Sequence, residues 1–172
     1  MVTLRCTRKL YKFLEIIPLE TPEPPTGTLG DWYANLVPTY AGDLIVFVNE
    51  RSLVTVAIPA WEAENLVPLF LARVENLLRM IGVSQEIIDK EISHYDKVQF
   101  AKTASRSVLG SMNDIAWNYQ VISEEAEYVS RLSLSEAEFK LSQMPSGVLK
   151  YSFPSDAAKE LLEGIHPDIS AS

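Results

Sequence analysis

The sequence predicts an α/β (or α+β) fold, a small mixed four-stranded sheet with a central hairpin, packed against about six to eight helices. Three observations carry that expectation. Residues 43–48 and 53–58 are apolar runs separated by the polar turn Asn49-Glu50-Arg51-Ser52, the form of a β-hairpin. Residues 2–6 and 97–103 alternate apolar and polar side chains, and each leads directly into a segment of helical spacing. Residues 61–81 repeat apolar positions every three to four residues, as a long amphipathic helix does.

Taken in order, the first strand places Val2, Leu4 and Cys6 on one side and Thr3 and Arg5 on the other. Thr7 can cap a helix over residues 8–16, with Leu10, Phe13, Leu14 and Ile17 as its apolar face. Lys9 then lies in the first turn, where N–H groups lack intrahelical partners. Residues 18–27 hold four of the ten prolines and form a loop. Leu29, Trp32, Tyr33 and Leu36 fall at helical spacing, which predicts a short helix over residues 28–37, stopped by Pro38. The nearly all-apolar run 44–48 is that of a central strand covered on both faces. After Pro59 comes the long helix, kinked or restarted at Pro68 and closed by Gly82, then a helix over 84–94 and the fourth strand. Ser135-Glu136-Ala137-Glu138 has the capping-box form ahead of a helix to residue 144. Pro145-Ser146-Gly147 interrupts it; residues 148–153 are expected to be extended, and Ser155 to cap a last helix over 156–163. One globular domain is expected over 1–164, its part from residue 124 acidic and helical, with a frayed tail over 165–172.

With 172 residues, 47% of them apolar and 22% charged, the chain can bury a substantial core. A formal charge of −8 argues against nucleic acid as partner, because phosphate contacts need a basic surface. Arg5, Arg8, Lys9 and Lys12 do cluster near the start, and Glu124, Glu125 and Glu127 lie toward the other end. A lone cysteine, Cys6, suits a reducing cytoplasm and reads as a small core residue. Basic residues interrupt any apolar leader, and the most hydrophobic window contains Arg73, Glu75 and Arg79, so no membrane segment is expected.

The stretch from Lys102 to Asp114 crowds charged, small and amide side chains into a segment that reads as helical and buried, capped by Thr103 or Ser105. Val108, Met112, Ile115 and Tyr119 share one side; Arg106, Gly110, Asn113 and Trp117 share another, bordered by Ser107 and Asp114. Gly110 is the informative residue, since a mid-helix glycine costs about 1 kcal/mol relative to alanine and calls for a close approach of backbone or ligand. Arg106 and Asn113 stand roughly 10 Å apart along such a helix, a gap that suits either a small anionic ligand or a loop of the same chain.

Catalytic motifs are missing. His94 and His166 have no second ligand at zinc spacing, and no Walker loop, dinucleotide fingerprint or nucleophile elbow is present. Ser107 and Ser111 lack a visible base. The sequence therefore assigns no catalytic residue and no metal site, and leaves any cofactor unknown.

Four segments carry a resemblance: Leu4-Arg5-Cys6-Thr7-x-Lys9-Leu10, Leu29-Gly30-Asp31-Trp32-Tyr33-Ala34-Asn35, Phe47-Val48-Asn49-Glu50-Arg51, and Lys102-Thr103-x-x-Arg106-Ser107-Val108-Leu109-Gly110-Ser111-Met112-Asn113-Asp114. Over its first two thirds the chain resembles a bacterial family defined only as a domain of unknown function. The resemblance implies no activity. It does imply that the four segments converge, placing Thr7, Lys9, Asn49, Arg51, Arg106 and Asn113 around one region where α/β proteins often bind ligands. Trp32, Glu50, Gly110 and Asp114 complete the candidate set.

Two functions compete. In the first, the chain is a non-catalytic binding or protein-interaction module, with a structural polar cluster around Arg106–Asn113. In the second, Lys9, Arg51 and Arg106 hold a small anionic, nucleotide- or phosphate-bearing ligand, and Glu50 or Asp114 serves as base or metal ligand. A nuclease-like activity on RNA is a third, opposed by the acidic charge. The oligomeric state is left open.

Overall fold

The computed structural model describes residues 1–124, 133–150 and 152–164. Among them the chain forms β1 (Val2–Cys6), α1 (Arg8–Phe13), β2 (Trp32–Val37), β3 (Leu44–Asn49) and β4 (Thr55–Pro59). A 3-10 helix (Ala60–Asn65) leads into α2 (Leu66–Met80), followed by α3 (Gln85–Ser93), β5 (Val98–Lys102), α4 (Arg106–Ser123), α5 (Leu134–Ser142) and α6 (Pro154–Glu163). The α/β class holds, with a mixed sheet of five strands in the order β4-β3-β2-β1-β5 rather than four. β1 runs parallel to β2 and β5; β2, β3 and β4 form an antiparallel meander.

The extra strand is β2. Residues 28–37 were expected to be helical because Leu29, Trp32, Tyr33 and Leu36 match a helix face. They match a doubly covered strand equally well. Trp32, Ala34 and Leu36 enter one core, while Tyr33 and Val37 enter the other. The first core lies under α1, α2, α3 and α6, with Phe70 of α2 edge-on to Trp32 at 5.3 Å between ring centroids. The second lies under α4 and α5, around Val46, Val48, Met112, Tyr119 and Leu141. The sheet is thus sandwiched between two helical layers.

Each edge strand has a neighbour outside the sheet, which shortens the open ladder that invites aggregation. Beside β5 the proline-rich loop pairs through Leu19, whose N–H donates to the Phe100 carbonyl at 2.8 Å. Beside β4 lies α5, tied to α2 by an ion pair between Arg73 and Glu138. Burial lowers the Arg73 guanidinium pKa, and the Glu138 side chain is 1% exposed.

Several boundaries differ for local reasons. α1 stops at Phe13, and Glu15 already has a φ of 55°. Pro68 sits in the first turn of α2, where its missing N–H has no helical partner to lose, so the helix restarts rather than kinks. The cap of α5 is Ser133, which accepts from Glu136 N; Ser133-x-x-Glu136 fits the same capping pattern as Ser135-x-x-Glu138, and Glu138 is committed to Arg73. α6 begins at Pro154 after the cap residue Phe153, while Ser155 accepts from Gln143 Nε2 at 2.8 Å. Residues 146–150 form turns rather than an extended piece, closed by a bridge between Ser146 and Ser152. Glu125, Glu127, His166 and the tail 165–172 lie outside the described residues. Among the described residues no helix is long and apolar enough to cross a membrane.

Candidate functional site

Three of the four motif segments meet where β2 begins and β3 ends, since Trp32 pairs with Asn49 in the sheet and Asp31 pairs with Arg5 of β1. Asn49 is fully buried. Its amide donates to the carbonyls of Leu29 (2.9 Å) and Asp31 (3.3 Å), and its Oδ1 accepts from Arg51 N, Ser52 N and Ser52 Oγ. Asn suits this place because its short side chain closes the turn on its own backbone. Asp31 accepts from Thr3 N at 3.0 Å and pairs with Arg5 at 3.4 Å, and its own N–H donates to Glu50 Oε1. Arg51 donates to the Thr28 carbonyl at 2.8 Å. Gly30 is required here: its φ is +73°, and an added Cβ would stand 2.6 Å from Glu50 Oε1.

The same cluster recruits residues that the sequence did not single out. Buried Glu91 of α3 accepts from the N–H groups of Thr28 (2.9 Å) and Leu29 (3.0 Å) and from the Tyr95 hydroxyl. Tyr95 in turn accepts from Trp32 Nε1 at 3.0 Å. Burial raises the Tyr95 phenol pKa, and the negative Glu91 adds to the effect. The available signal was the i, i+4 spacing of Glu91, in the last turn of α3, and Tyr95, just past the helix end. These groups bond to their own chain and leave little for a ligand, so the cluster specifies the fold.

The other candidates lie elsewhere. Thr7 caps α1, accepting from Leu10 N, and donates to Asn35 Oδ1 at 2.7 Å, at the opposite end of the sheet from Asn49. Lys9 is exposed on α1, which packs on the first core, whereas Arg106 opens α4, which packs on the second. Arg51, Lys9 and Arg106 are therefore not brought together. α4 is helical as expected, with Ser105 as its cap and Val108, Met112 and Tyr119 buried. The polar stripe is not buried. Arg106, Gly110, Asn113 and Trp117 face solvent, and an added Cβ at Gly110 would meet nothing within 4 Å. Gly110→Ala is accordingly expected to stabilise the folded chain by about 1 kcal/mol, from helix propensity alone. Thermal unfolding would show it as a rise of roughly 2–4 °C.

A concavity opens beside that stripe, between α4, α5, the β3–β4 turn and the turns after α5. Its volume is about 400 Å³. Leu53, Ile115, Leu141, Met144 and Val148 supply apolar walls, and Leu53 is held at a φ of 64°. Thr55, Ser111, Asp114, Asn118 and Ser146 supply polar groups. The Thr55 hydroxyl donates to the Phe47 carbonyl at 2.8 Å and lies 3.2 Å from the Tyr119 hydroxyl. Tyr119 is itself fully buried, and burial raises its pKa. Among the described residues no Lys, Arg or His lines the pocket, and Asp114 is its one carboxylate. Chemically the pocket offers apolar contact and hydrogen-bond acceptors rather than an anion clamp.

Among the described residues no group of three or more His, Cys, Asp or Glu could hold a metal ion. Burial pushes the Cys6 thiol up to about 12, which leaves it an inert core residue.

The model of a protein family described as a domain of unknown function (DUF6933) matches residues 3–157, and the chain belongs to that family. The match extends past the two thirds over which the motif segments run. No curated protein and no solved structure matches the chain.

Proposed function

We propose that residues 1–164 work as one unit, and that this member of the family is a non-catalytic binding module. Its receptor is the pocket between α4, α5 and the β3–β4 turn, and its ligand is an uncharged, largely apolar group. Such a group can belong to a small molecule or to a side chain of a partner protein. The pocket's lining carries the proposal: among the described residues, seven apolar side chains, hydroxyl and amide groups, one carboxylate and no cation surround about 400 Å³. The buried cluster of Asp31, Asn49 and Glu91 supports it by holding the β3–β4 turn, which contributes Leu53 and borders Thr55. The single buried cysteine suits work in a reducing cytoplasm.

An anionic ligand held by Lys9, Arg51 and Arg106 has less support, because these cations stand on different faces and at different ends of the sheet. A thermal-shift screen of wild type and Ser111→Phe separates the two. Ser111 lines the pocket on the buried side of α4, so a phenyl ring there occupies the ligand's space. A ligand at 100 times its Kd stabilises by about 2.7 kcal/mol, roughly 5–10 °C in a chain of this size. Uncharged aromatic or aliphatic compounds are expected to shift wild type and not the filled variant. A shift produced by nucleotides or phosphorylated metabolites, and lost in Arg106→Ala or Arg51→Ala, would overturn the proposal.

A further inference from the structure

We propose that two copies of this chain pair through the exposed face of α4, crossing at Gly110 about a two-fold axis so that Arg106 of each copy meets Asp114 of the other. Gly110 supplies the first argument. It sits in the middle of an 18-residue helix, faces solvent, has an ordinary helical φ, and no neighbour in its own chain needs the space a side chain would fill. The feature that uses the missing side chain therefore lies outside the chain, and glycine is what lets a second helix approach closely.

Charge supplies the second. Arg106, Gly110 and Asp114 are spaced by four residues and form one ridge on the helix surface. Arg106 and Asp114 lie about 6 Å from Gly110 along the axis, in opposite directions. Ridges of this kind are inclined about 26° to the helix axis, and two of them run alongside each other when the helices cross at about 50°. A two-fold axis at Gly110 reverses one ridge relative to the other. The arginine of each copy then lies beside the aspartate of its mate, giving two equivalent ion pairs, as a self-complementary interface requires. Neither residue has an ion-pair partner among the described residues of its own chain. A net charge of −8 on each copy opposes self-association, and the two ion pairs of the ridge offset part of that repulsion.

Apolar surface supplies the third. Trp117 is 65% exposed and Val121 43%, one and two turns beyond Asn113 on the same face. A crossing of two helices covers less than the roughly 800 Å² per partner of a standard interface, so the dimer is expected to be of micromolar or weaker affinity. This inference goes beyond the pocket and does not depend on it, although Asp114 also stands at the pocket's rim.

Sedimentation equilibrium of the full chain over a wide concentration range tests it, with Arg106→Asp, Asp114→Arg, the double exchange and Gly110→Leu alongside. Wild type is expected to show a monomer–dimer equilibrium. Each single reversal places like charges together and should raise Kd at least about tenfold. The double exchange restores both pairs and should return Kd toward the wild-type value. Gly110→Leu should keep its helical circular dichroism and lose the dimer. A wild type that stays monomeric throughout overturns the proposal. So does a dimer indifferent to the single reversals or to Gly110→Leu, or one that the double exchange fails to recover.

Discussion

Asn49→Ala is expected to cost about 3–4 kcal/mol, at the upper end of single substitutions. Truncation removes the donor to the Leu29 and Asp31 carbonyls and the acceptor for Arg51 N, Ser52 N and Ser52 Oγ, in a site without solvent exposure. Each buried group left without a partner costs about 1–3 kcal/mol, and the costs do not add fully because the turn relaxes. Thermal unfolding should fall by roughly 10 °C. Asn49→Asp keeps the shape and faces a carboxylate toward two carbonyl oxygens, so it should be no better. A loss below about 1 kcal/mol for Asn49→Ala would mean that the cluster does not hold the turn.

Arg73→Met should be comparably damaging, at about 3 kcal/mol, because it leaves the Glu138 carboxylate buried and unpaired. Glu138→Leu should cost less, since Arg73 is partly exposed and its charge can reach water. The double variant replaces the pair by two apolar side chains of similar bulk, and its stability should return to within about 1 kcal/mol of wild type. Urea unfolding of all four proteins closes the cycle. Additive losses would show that α5 is held beside β4 by something other than this pair.

How much of this was legible depends on how far apart the cooperating residues lie in the chain. The hairpin could be read, because its strands and turn are contiguous and Asn49 carries the turn's chemistry. β2 could not be read by periodicity. A strand covered on both faces has no alternation, and Leu29, Trp32, Tyr33 and Leu36 then imitate a helix. Its composition was the better signal, with Trp32, Tyr33 and Val37 favouring strand and Pro38 closing a run too short for a stable helix. In the Lys102–Asp114 stretch the helix after a Thr103 or Ser105 cap is legible, and Ser105 is that cap, but the expected burial fails because helical spacing places residues on a common face without saying what that face meets.

The candidate site was less legible. Asp114 was singled out and does line the pocket with Ser111, Ile115 and Asn118 of the same helix, yet the facing walls come from Leu53, Thr55, Leu141, Met144 and Val148, residues separated by as much as 95 positions. No local pattern records such a meeting. The expected convergence of Lys9, Arg51 and Arg106 rested on motif segments, and three of those segments serve the buried cluster of Asp31, Asn49 and Glu91 instead, through Arg5, Asp31 and Asn49. Glu91 and Tyr95 show why: a carboxylate buried to receive two backbone N–H groups looks in sequence like any acidic helix residue.

The central claim, that the pocket beside α4 receives an uncharged apolar group, is tested most directly by methyl-resolved NMR of the wild-type chain titrated with small aromatic and aliphatic compounds and, separately, with phosphorylated ones. The account predicts that the uncharged compounds perturb the methyls of Leu53, Ile115, Leu141, Met144 and Val148 in saturable fashion and leave those of the opposite core, such as Val56 and Val74, in place. Perturbation that ignores these five residues, or that appears only with phosphorylated compounds, would contradict it.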